Sequence, residues 1–179
     1  MILTGAFAGA IGYDWTENAL VGILMGMIAG LLVSLVQAQM SHRLTADQFV
    51  VGLTLNILFL GVTSFLYAEW KPSSKVVSKL EIPILKEIPL IGDALFGQPW
   101  PFLLLYLLVP FTWWLVYRTR WGLEVRAVGE NPQAADVSGI DVNKRRRESI
   151  YYAGLCSGMG GAYLLLGQVG RFDDGIVAG

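Results

Sequence analysis

The sequence predicts an all-α polytopic membrane protein, and two observations carry that prediction. Hydrophobic residues make up 54% of the 179 residues and charged residues only 15%, whereas a soluble domain carries about a quarter charged residues. The apolar residues also gather in long runs, several of them near the roughly 20 residues that a helix needs to cross a bilayer. Because lipid offers the backbone no hydrogen-bond partner, each such run must form a helix.

About four complete transmembrane helices are predicted, together with a partial one at the N-terminus. The four complete spans, in chain order, are 19–40, 49–68, 101–117 and 150–169. The segment 2–13 has the composition of the second half of a further span. We therefore expect a single transmembrane domain over 1–179 that is incomplete at both ends.

The basic residues predict how these spans are oriented. The loop 118–148 holds more than half of the chain's 13 Lys and Arg residues, and such loops stay on the cytoplasmic side of the membrane. Alternation then places the loop 70–100 outside, although its lysines weaken this orientation. The sequence therefore predicts a cytoplasmic loop at 118–148 and an extracytoplasmic loop at 70–100.

Glycines recur at four-residue spacing within the predicted spans. Gly22, Gly26 and Gly30 fall on one helix face, and Gly154 and Gly158 fall on another. Small residues at this spacing let helix backbones approach closely in lipid. We expect these faces to be helix-packing surfaces, either static or forming a moving contact beside a pathway.

The polar residues inside the spans limit what the protein can do. No Asp, Glu, Lys, Arg or His lies in the four predicted spans, whereas ion-driven carriers and voltage sensors bury such groups at membrane depth. We predict no catalytic residues and no metal site. Asn56 is the most conspicuous polar residue, either an interhelical hydrogen-bonding group or part of a solute pathway, and Thr54 and Gln168 are further pathway candidates.

A polar stretch between two spans, RAVGENPQAADVSGIDVNKRR at 126–146, has the signals of a short helix. Asn131 is a good N-cap, Pro132 suits the first helical position, and Gly139 suits the left-handed residue past a helix end. These signals predict a helix over 132–138, which is too short to be stable alone in water. It either connects the spans as a solvated element or packs into a groove of a soluble partner.

Residues at fixed spacing around this helix form a recognisable pattern. The pattern consists of Gly122, Arg126, Ala127, Gly129, Asn131, Ala134, Ala135, Gly139, Ile140, Val142 and the basic run 144–147. It resembles the signature cytoplasmic loop of ABC-importer permeases of the ribose and branched-chain amino acid type. The likeness covers the whole chain, including ADQFVVGLTLNILFLGVTSFL (46–66) and GQVGRFDDGIVAG (167–179). The segment IPLIGDALFGQ and Glu130 are closest to the branch that serves nucleosides and simple sugars.

The resemblance implies a permease subunit of an ATP-driven importer in the bacterial cytoplasmic (inner) membrane. A solute-binding lipoprotein would deliver a nucleoside or simple sugar outside, and two permease subunits, identical or homologous, would form the path. A cytoplasmic ABC ATPase subunit would bind ATP and Mg, so this chain would bind no cofactor, perform no bond chemistry and contact lipid but no nucleic acid. The implied ATPase-coupling residues, on and around the coupling helix, are Arg126, Gly129, Glu130, Asn131, Pro132, Ala134, Ala135 and Gly139.

The resemblance also bears on the ends of the chain and on the alternatives. Such permeases have spans before the residue matching Met1 and after the one matching Gly179, so we expect an internal fragment. The main alternative is an ATP-independent secondary carrier or channel for a small polar solute, which predicts buried ionisable groups or inverted repeats. A membrane-embedded enzyme is a third possibility, and it requires a catalytic cluster that the sequence does not show. The basic run 144–147 fits contact with the anionic inner leaflet better than contact with ATP.

Overall fold

The computed structural model describes residues 1–43, 48–70 and 102–170, and all regular structure within these ranges is helical. The all-α prediction is therefore confirmed for this part of the chain. The helices are α1 Ile2–Thr16, α2 Ala19–Arg43, α3 Gln48–Trp70, α4 Phe102–Arg118, α5 Arg120–Glu130, α6 Pro132–Val137 and α7 Val142–Tyr163, followed by a π-helical segment Leu164–Val169. The predicted outer loop 70–100 lies outside the described residues apart from Trp70.

Two of these helices are long and apolar enough to cross a membrane, over Ala19–Ser41 and Phe49–Trp70. Length and composition alone also fit a buried core helix, but only 17% of the apolar window in α3 is buried within the chain. Phe49 and Phe65 are 77% and 72% exposed. The outer surface of α3 therefore needs lipid or further polypeptide to cover it. The larger predicted number of spans stays a prediction.

The last predicted span begins earlier than its apolar run indicates. The α-helix starts at Val142, eight residues before the predicted 150, because the Asp141 carboxylate accepts a hydrogen bond of 2.9 Å from the Lys144 backbone N–H. After Tyr163 the backbone widens into the π-helical segment. It ends at Gly170, which has a left-handed φ of 65°. The predicted end at 169 agrees with this stop.

The core lies where α1, α2 and α7 pack together with the π-helical segment. Its buried residues are Leu3, Ala6, Phe7, Ala10, Ala19, Ile23, Met159, Ala162, Leu165 and Leu166. Several of them are alanines, so helix backbones come close together. Packing on α1 and α2 holds the C-terminal half of α7 in place. The N-terminal end of α7 adjoins the polar segment that follows α4.

The five glycines predicted to pack helices all lie in this core interface. A methyl group at Gly26 would lie 2.6 Å from the Ala162 Cβ atom and 2.8 Å from the Gly5 carbonyl oxygen. Gly22 approaches Gly9 in the same way, and Gly30 approaches both Gly154 and Gly158. Glycine is required here by close backbone approach. We call the contact of Gly26 and Gly30 of α2 with Gly154 and Gly158 of α7 the glycine seam, and Gly22 continues the α2 face toward α1.

Candidate functional site

The predicted cytoplasmic loop 118–148 is a helical hairpin with a third, short helix at its tip. Trp121 of α5 pairs with Glu148 of α7, and Glu124 pairs with Arg145. As the number rises along α5 it falls along α7, so the two helices run antiparallel. The short helix α6 joins them at the far end. The sequence signals predicted α6 but not α5.

The corner between α4 and α5 depends on one threonine and one glycine. The Thr119 hydroxyl caps α5 by accepting a hydrogen bond of 3.1 Å from the Gly122 backbone N–H. Gly122 is buried, and a Cβ atom there would lie 2.5 Å from the Leu115 carbonyl oxygen and overlap that of Val116. The chain can therefore turn this tightly only with glycine at 122. The Thr119 cap is the local signal that could have predicted α5.

The start of α6 has the cap that the sequence predicts. The Asn131 side-chain oxygen accepts hydrogen bonds of 3.1 Å from the backbone N–H groups of Gln133 and Ala134. Pro132 occupies the first helical position, where a missing N–H costs nothing. The backbone at Asn131 is extended, with φ −149°, so the chain changes direction between α5 and α6.

The end of α6 is closed by a paired hydrogen-bond motif. The Ile140 N–H donates to the Ala135 carbonyl at 3.0 Å, and the Gly139 N–H donates to the Asp136 carbonyl at 2.9 Å. These two bonds form a Schellman motif. Gly139 has a φ of 83°, which confirms the predicted left-handed residue. The helix ends at Val137, one residue short of the predicted 138, and Ser138 is its C-cap.

One face of α6 packs against the rest of the chain, and the opposite face is exposed. Ala135 is only 4% exposed and fastens the helix to the hairpin. Ala134 is exposed, and the neighbouring Val137 is 91% exposed. Val137 was not among the predicted site residues, although it is an isolated branched apolar side chain in a polar stretch.

The remaining predicted coupling residues surround this tip. Gly129, Glu130, Asn131 and Gly139 are exposed, and Pro132 is partly buried. Arg126 lies farther back, beside α4, with its guanidinium carbon 5.0 Å from the centre of the Tyr117 ring. The structure thus brings 129–134 and 139 together at the tip and leaves Arg126 beside α4.

A cluster of polar side chains ties α5 to α7. The Trp121 indole N–H donates to the Glu148 carboxylate at 2.8 Å. The Arg145 guanidinium donates to Glu124 at 2.5 Å and to Glu148 at 2.6 Å. We call these four residues the hairpin ladder. None of the four was predicted as a site residue. Arg145 was assigned to a basic run that was expected to contact the inner leaflet.

The charges of the hairpin ladder are fixed by its hydrogen bonds. Burial raises the pKa of Glu148, but hydrogen bonds from Arg145 and Trp121 outweigh it, so the pKa lies below the ordinary 4.5. Hydrogen bonds to Glu148 and Glu124 raise the pKa of Arg145 above its ordinary value. The Arg145–Glu148 pair is therefore fully ionised at neutral pH.

Trp121 also links the hairpin ladder to α4. Its ring meets the Tyr152 ring edge-on, with centroids 6.1 Å apart. The Tyr152 hydroxyl shares a hydrogen bond of 2.5 Å with the Thr112 hydroxyl. Tyr152 of α7 thus contacts both Trp121 of α5 and Thr112 of α4, which links the hairpin to α4.

The predicted pathway residues do not gather on one surface. Asn56 is exposed on α3, while Thr54 lies two positions away and so faces another side of the helix. The Thr54 hydroxyl donates to the Val50 carbonyl of its own helix at 2.8 Å. Gln168 is exposed on the π-helical segment, which packs on α1 and α7.

Asn56 shares a surface groove with Gln37 of α2 rather than with the other predicted pathway residues. Both line an open groove of about 580 Å³, together with Phe49, Gly52 and Leu53. They also line a smaller adjoining cavity of about 190 Å³. Gln37 was not among the predicted site residues, because whether it lines the same groove as Asn56 depends on how α2 and α3 are rotated against each other.

Long apolar helices, a glycine-lined core and a capped helix on a polar hairpin are features that a helical membrane protein is expected to have. The chain belongs to the family described as branched-chain amino acid transport system, permease component, which matches residues 1–178. The family resemblance found in the sequence is therefore confirmed.

Curated relatives carry transporter names. The chain is 36% identical over 146 residues to the guanosine ABC transporter permease protein NupQ of Bacillus subtilis, covering 78% of this chain and 46% of that protein. It is 31% identical to the nucleoside ABC transporter permease protein NupC of Lactococcus lactis subsp. cremoris, covering 98% of the chain and 59% of NupC. It is 32% identical to the putative glucose ABC transporter permease protein TsgC13 of Haloferax volcanii, covering 100% of the chain and 56% of TsgC13.

The chain thus spans about half the length of the curated relatives it matches. All three relatives are named as transporter permeases rather than enzymes, which agrees with a non-enzymatic transport subunit. No solved structure matches the chain significantly.

Proposed function

We propose that the chain acts as a permease subunit of an ATP-driven ABC importer and forms part of the translocation path. The observation that carries this proposal is the exposed, doubly capped helix α6 on a braced hairpin. Membership of the permease family and the ABC transporter names of the relatives support it. The proposed solute is a nucleoside or a simple sugar.

In this proposal α6 is the coupling helix and binds in a groove of the ATPase subunit. A six-residue helix is unstable in isolation, but here both ends are capped and Ala135 anchors it. Its rigid outer face presents Val137, which is 91% exposed. Burying a side chain of this size yields about 1.5–3 kcal/mol, so a partner groove would stabilise this face. Gly129, Glu130, Asn131 and Ala134 would surround the contact.

The groove shared by Asn56 and Gln37 supports the proposed solute class. Two carboxamides on mostly apolar helices offer hydrogen-bond donors and acceptors without net charge. A solute with hydroxyl groups or a neutral base would match them, whereas a charged solute would need an opposing charge. Thr54 and Gln168 remain candidates for other parts of the path.

The proposed membrane arrangement follows from the same role. About four complete spans and a partial one would cross the bacterial cytoplasmic membrane, with 118–148 inside and 70–100 outside. A second permease subunit or lipid would cover the exposed face of α3. A solute-binding lipoprotein would deliver the solute, and the ATPase subunit would bind ATP and Mg.

The test uses the assembled transporter in proteoliposomes, with uptake of labelled guanosine and of labelled glucose measured with and without ATP. We expect ATP-dependent uptake of one of them. Val137→Asp should release the ATPase subunit on purification and abolish uptake, while the matched variant Val137→Ile should retain both. Uptake that proceeds without the ATPase subunit would instead establish a secondary carrier.

A further inference from the structure

The residues of the hairpin ladder are evenly spaced along both helices. Trp121 and Glu124 are three positions apart on α5, and Arg145 and Glu148 are three positions apart on α7. Residues at this spacing lie on the same helix face. The two cross-helix hydrogen bonds, 121 with 148 and 124 with 145, therefore form consecutive rungs that lock the register of the two helices.

Stability alone does not account for this cluster. Arg145 is 22% exposed and its two carboxylate partners are 30% and 31% exposed, and ion pairs this accessible contribute little to folding. What the rungs do provide is a fixed position. Each joins α5 to α7 across the hairpin, so neither helix can slide or rotate without breaking one of them.

The position of α7 makes this lock consequential. The helix continues unbroken from Val142 to Tyr163, carrying Arg145 near one end and Gly154 and Gly158 in the glycine seam. Arg145 and Gly158 are separated by about 20 Å along the helix axis at 1.5 Å per residue. Any displacement that the hairpin passes to Arg145 therefore reaches the closest backbone contacts of the core.

We propose that Trp121, Glu124, Arg145 and Glu148 are positioning residues that make α6 and α7 move as one body. This inference rests on the proposed function, because the displacement comes from the ATPase subunit bound at α6. With the rungs broken, α6 is held to α7 by the turn 138–141 and by apolar packing, without polar bonds that fix the register. The ATPase would then still bind and hydrolyse ATP, but less of its motion would reach the glycine seam.

The experiment measures solute imported per ATP hydrolysed by the assembled transporter in proteoliposomes. Glu124→Gln keeps the side-chain shape and removes one charge, and Arg145→Gln removes the guanidinium that bonds both carboxylates. We expect each to lower the ratio about tenfold, within the range usual for coupling between sites. The double variant should lower the ratio no further than Arg145→Gln alone, because that change already removes the donor to Glu124.

Two further variants guard against a trivial effect. Arg120→Gln removes a charge from the same helix, at an exposed residue without an ion pair in the described part of the chain, and should leave the ratio unchanged. Trp121→Phe keeps an aromatic ring beside Tyr152 and removes only the hydrogen-bond donor. It should lower the ratio even if a charge variant fails to fold.

The outcomes separate this inference from the proposed function. An ATPase subunit that does not co-purify with the unmodified permease overturns the proposed function and this inference with it. Co-purification with an unchanged import ratio in Glu124→Gln and Trp121→Phe overturns this inference alone. The inference is also overturned if these variants lower the unfolding temperature but keep the ratio, since the hairpin ladder would then be merely structural.

Discussion

The glycine seam gives a prediction whose size follows from the structure. A Cβ atom at Gly158 would overlap the Gly26 carbonyl oxygen and lie 3.0 Å from the Gly30 Cα atom. Favourable carbon contacts have separations of about 3.5–4.0 Å. Gly158→Ala must therefore push α7 away from α2 by roughly half an ångström or more. Gly160, on the same helix, has no atom within 4 Å of such a Cβ.

These two glycines form a matched pair. Alanine raises helix propensity equally at both positions, by about 1 kcal/mol, so the difference between the variants isolates the steric effect. Overpacking of this kind costs about 1–3 kcal/mol. We expect Gly158→Ala to be less stable than Gly160→Ala by that amount.

The assay is equilibrium unfolding of the purified protein in mixed micelles, followed by circular dichroism. Both variants are compared with the unmodified protein at the same detergent composition. Equal stability of the two alanine variants would refute the close approach of α2 and α7 at Gly158. A loss of stability confined to Gly160→Ala would mean that the face of α7 bearing Gly160, and not the one bearing Gly158, packs in the core.

Three further predictions concern the tip, the hairpin ladder and the groove. Asn131→Ala should destabilise α6 by about 1 kcal/mol because two capping hydrogen bonds are lost, seen as faster amide hydrogen exchange, whereas Asn131→Asp should retain protection. The pKa of Glu148 lies below its ordinary 4.5, so its stabilisation is present above that value and is lost as the pH falls through the folded-state pKa. Trp121 fluorescence should change in that acidic range, and a titration without change would contradict the contact. Asn56→Leu should lower uptake without releasing the ATPase subunit; unchanged uptake in this variant would show that Asn56 only packs.

Local chemistry made parts of the tip predictable from sequence. Asn131, Pro132 and Gly139 act on backbone groups within a few residues of themselves, so their identities alone define the two ends of α6. The start of α7 could have been predicted in the same way, because Asp141 caps it locally. The apolar runs similarly predicted the starts of α2, α3 and α4 to within one residue, but not the start of α7, which lies in a polar stretch.

Features that depend on helix–helix register were not predictable. The spacing of Gly154 and Gly158 indicates a close-packing face, but it does not identify α2 as the neighbour. Arg145 looked like one of several basic residues until α5 was placed opposite it. The short helix α5 was missed because Gly122 and Gly129 lower its helix propensity, and its stability depends on contacts with α4 and α7.

The groove shared by Asn56 and Gln37 was not predictable for the same reason, since it too depends on how helices pack. These residues lie on different helices, and their common surface follows from the rotation of α2 against α3. Residue type alone grouped Asn56 with Thr54 and Gln168. The structure places Thr54 on another side of α3 and Gln168 on a segment that packs elsewhere.

The coupling role of α6 is tested most directly by a crosslink. In the assembled transporter, Cys156 is replaced by serine, Val137→Cys is introduced, and cysteines are scanned along the groove of the ATPase subunit. We expect a specific crosslink whose yield changes with bound nucleotide, and a much weaker one from the buried position in Ala135→Cys. If Val137→Cys reacts freely with a cytoplasmic maleimide and never crosslinks, α6 is solvated and the ATP-driven importer is the wrong function.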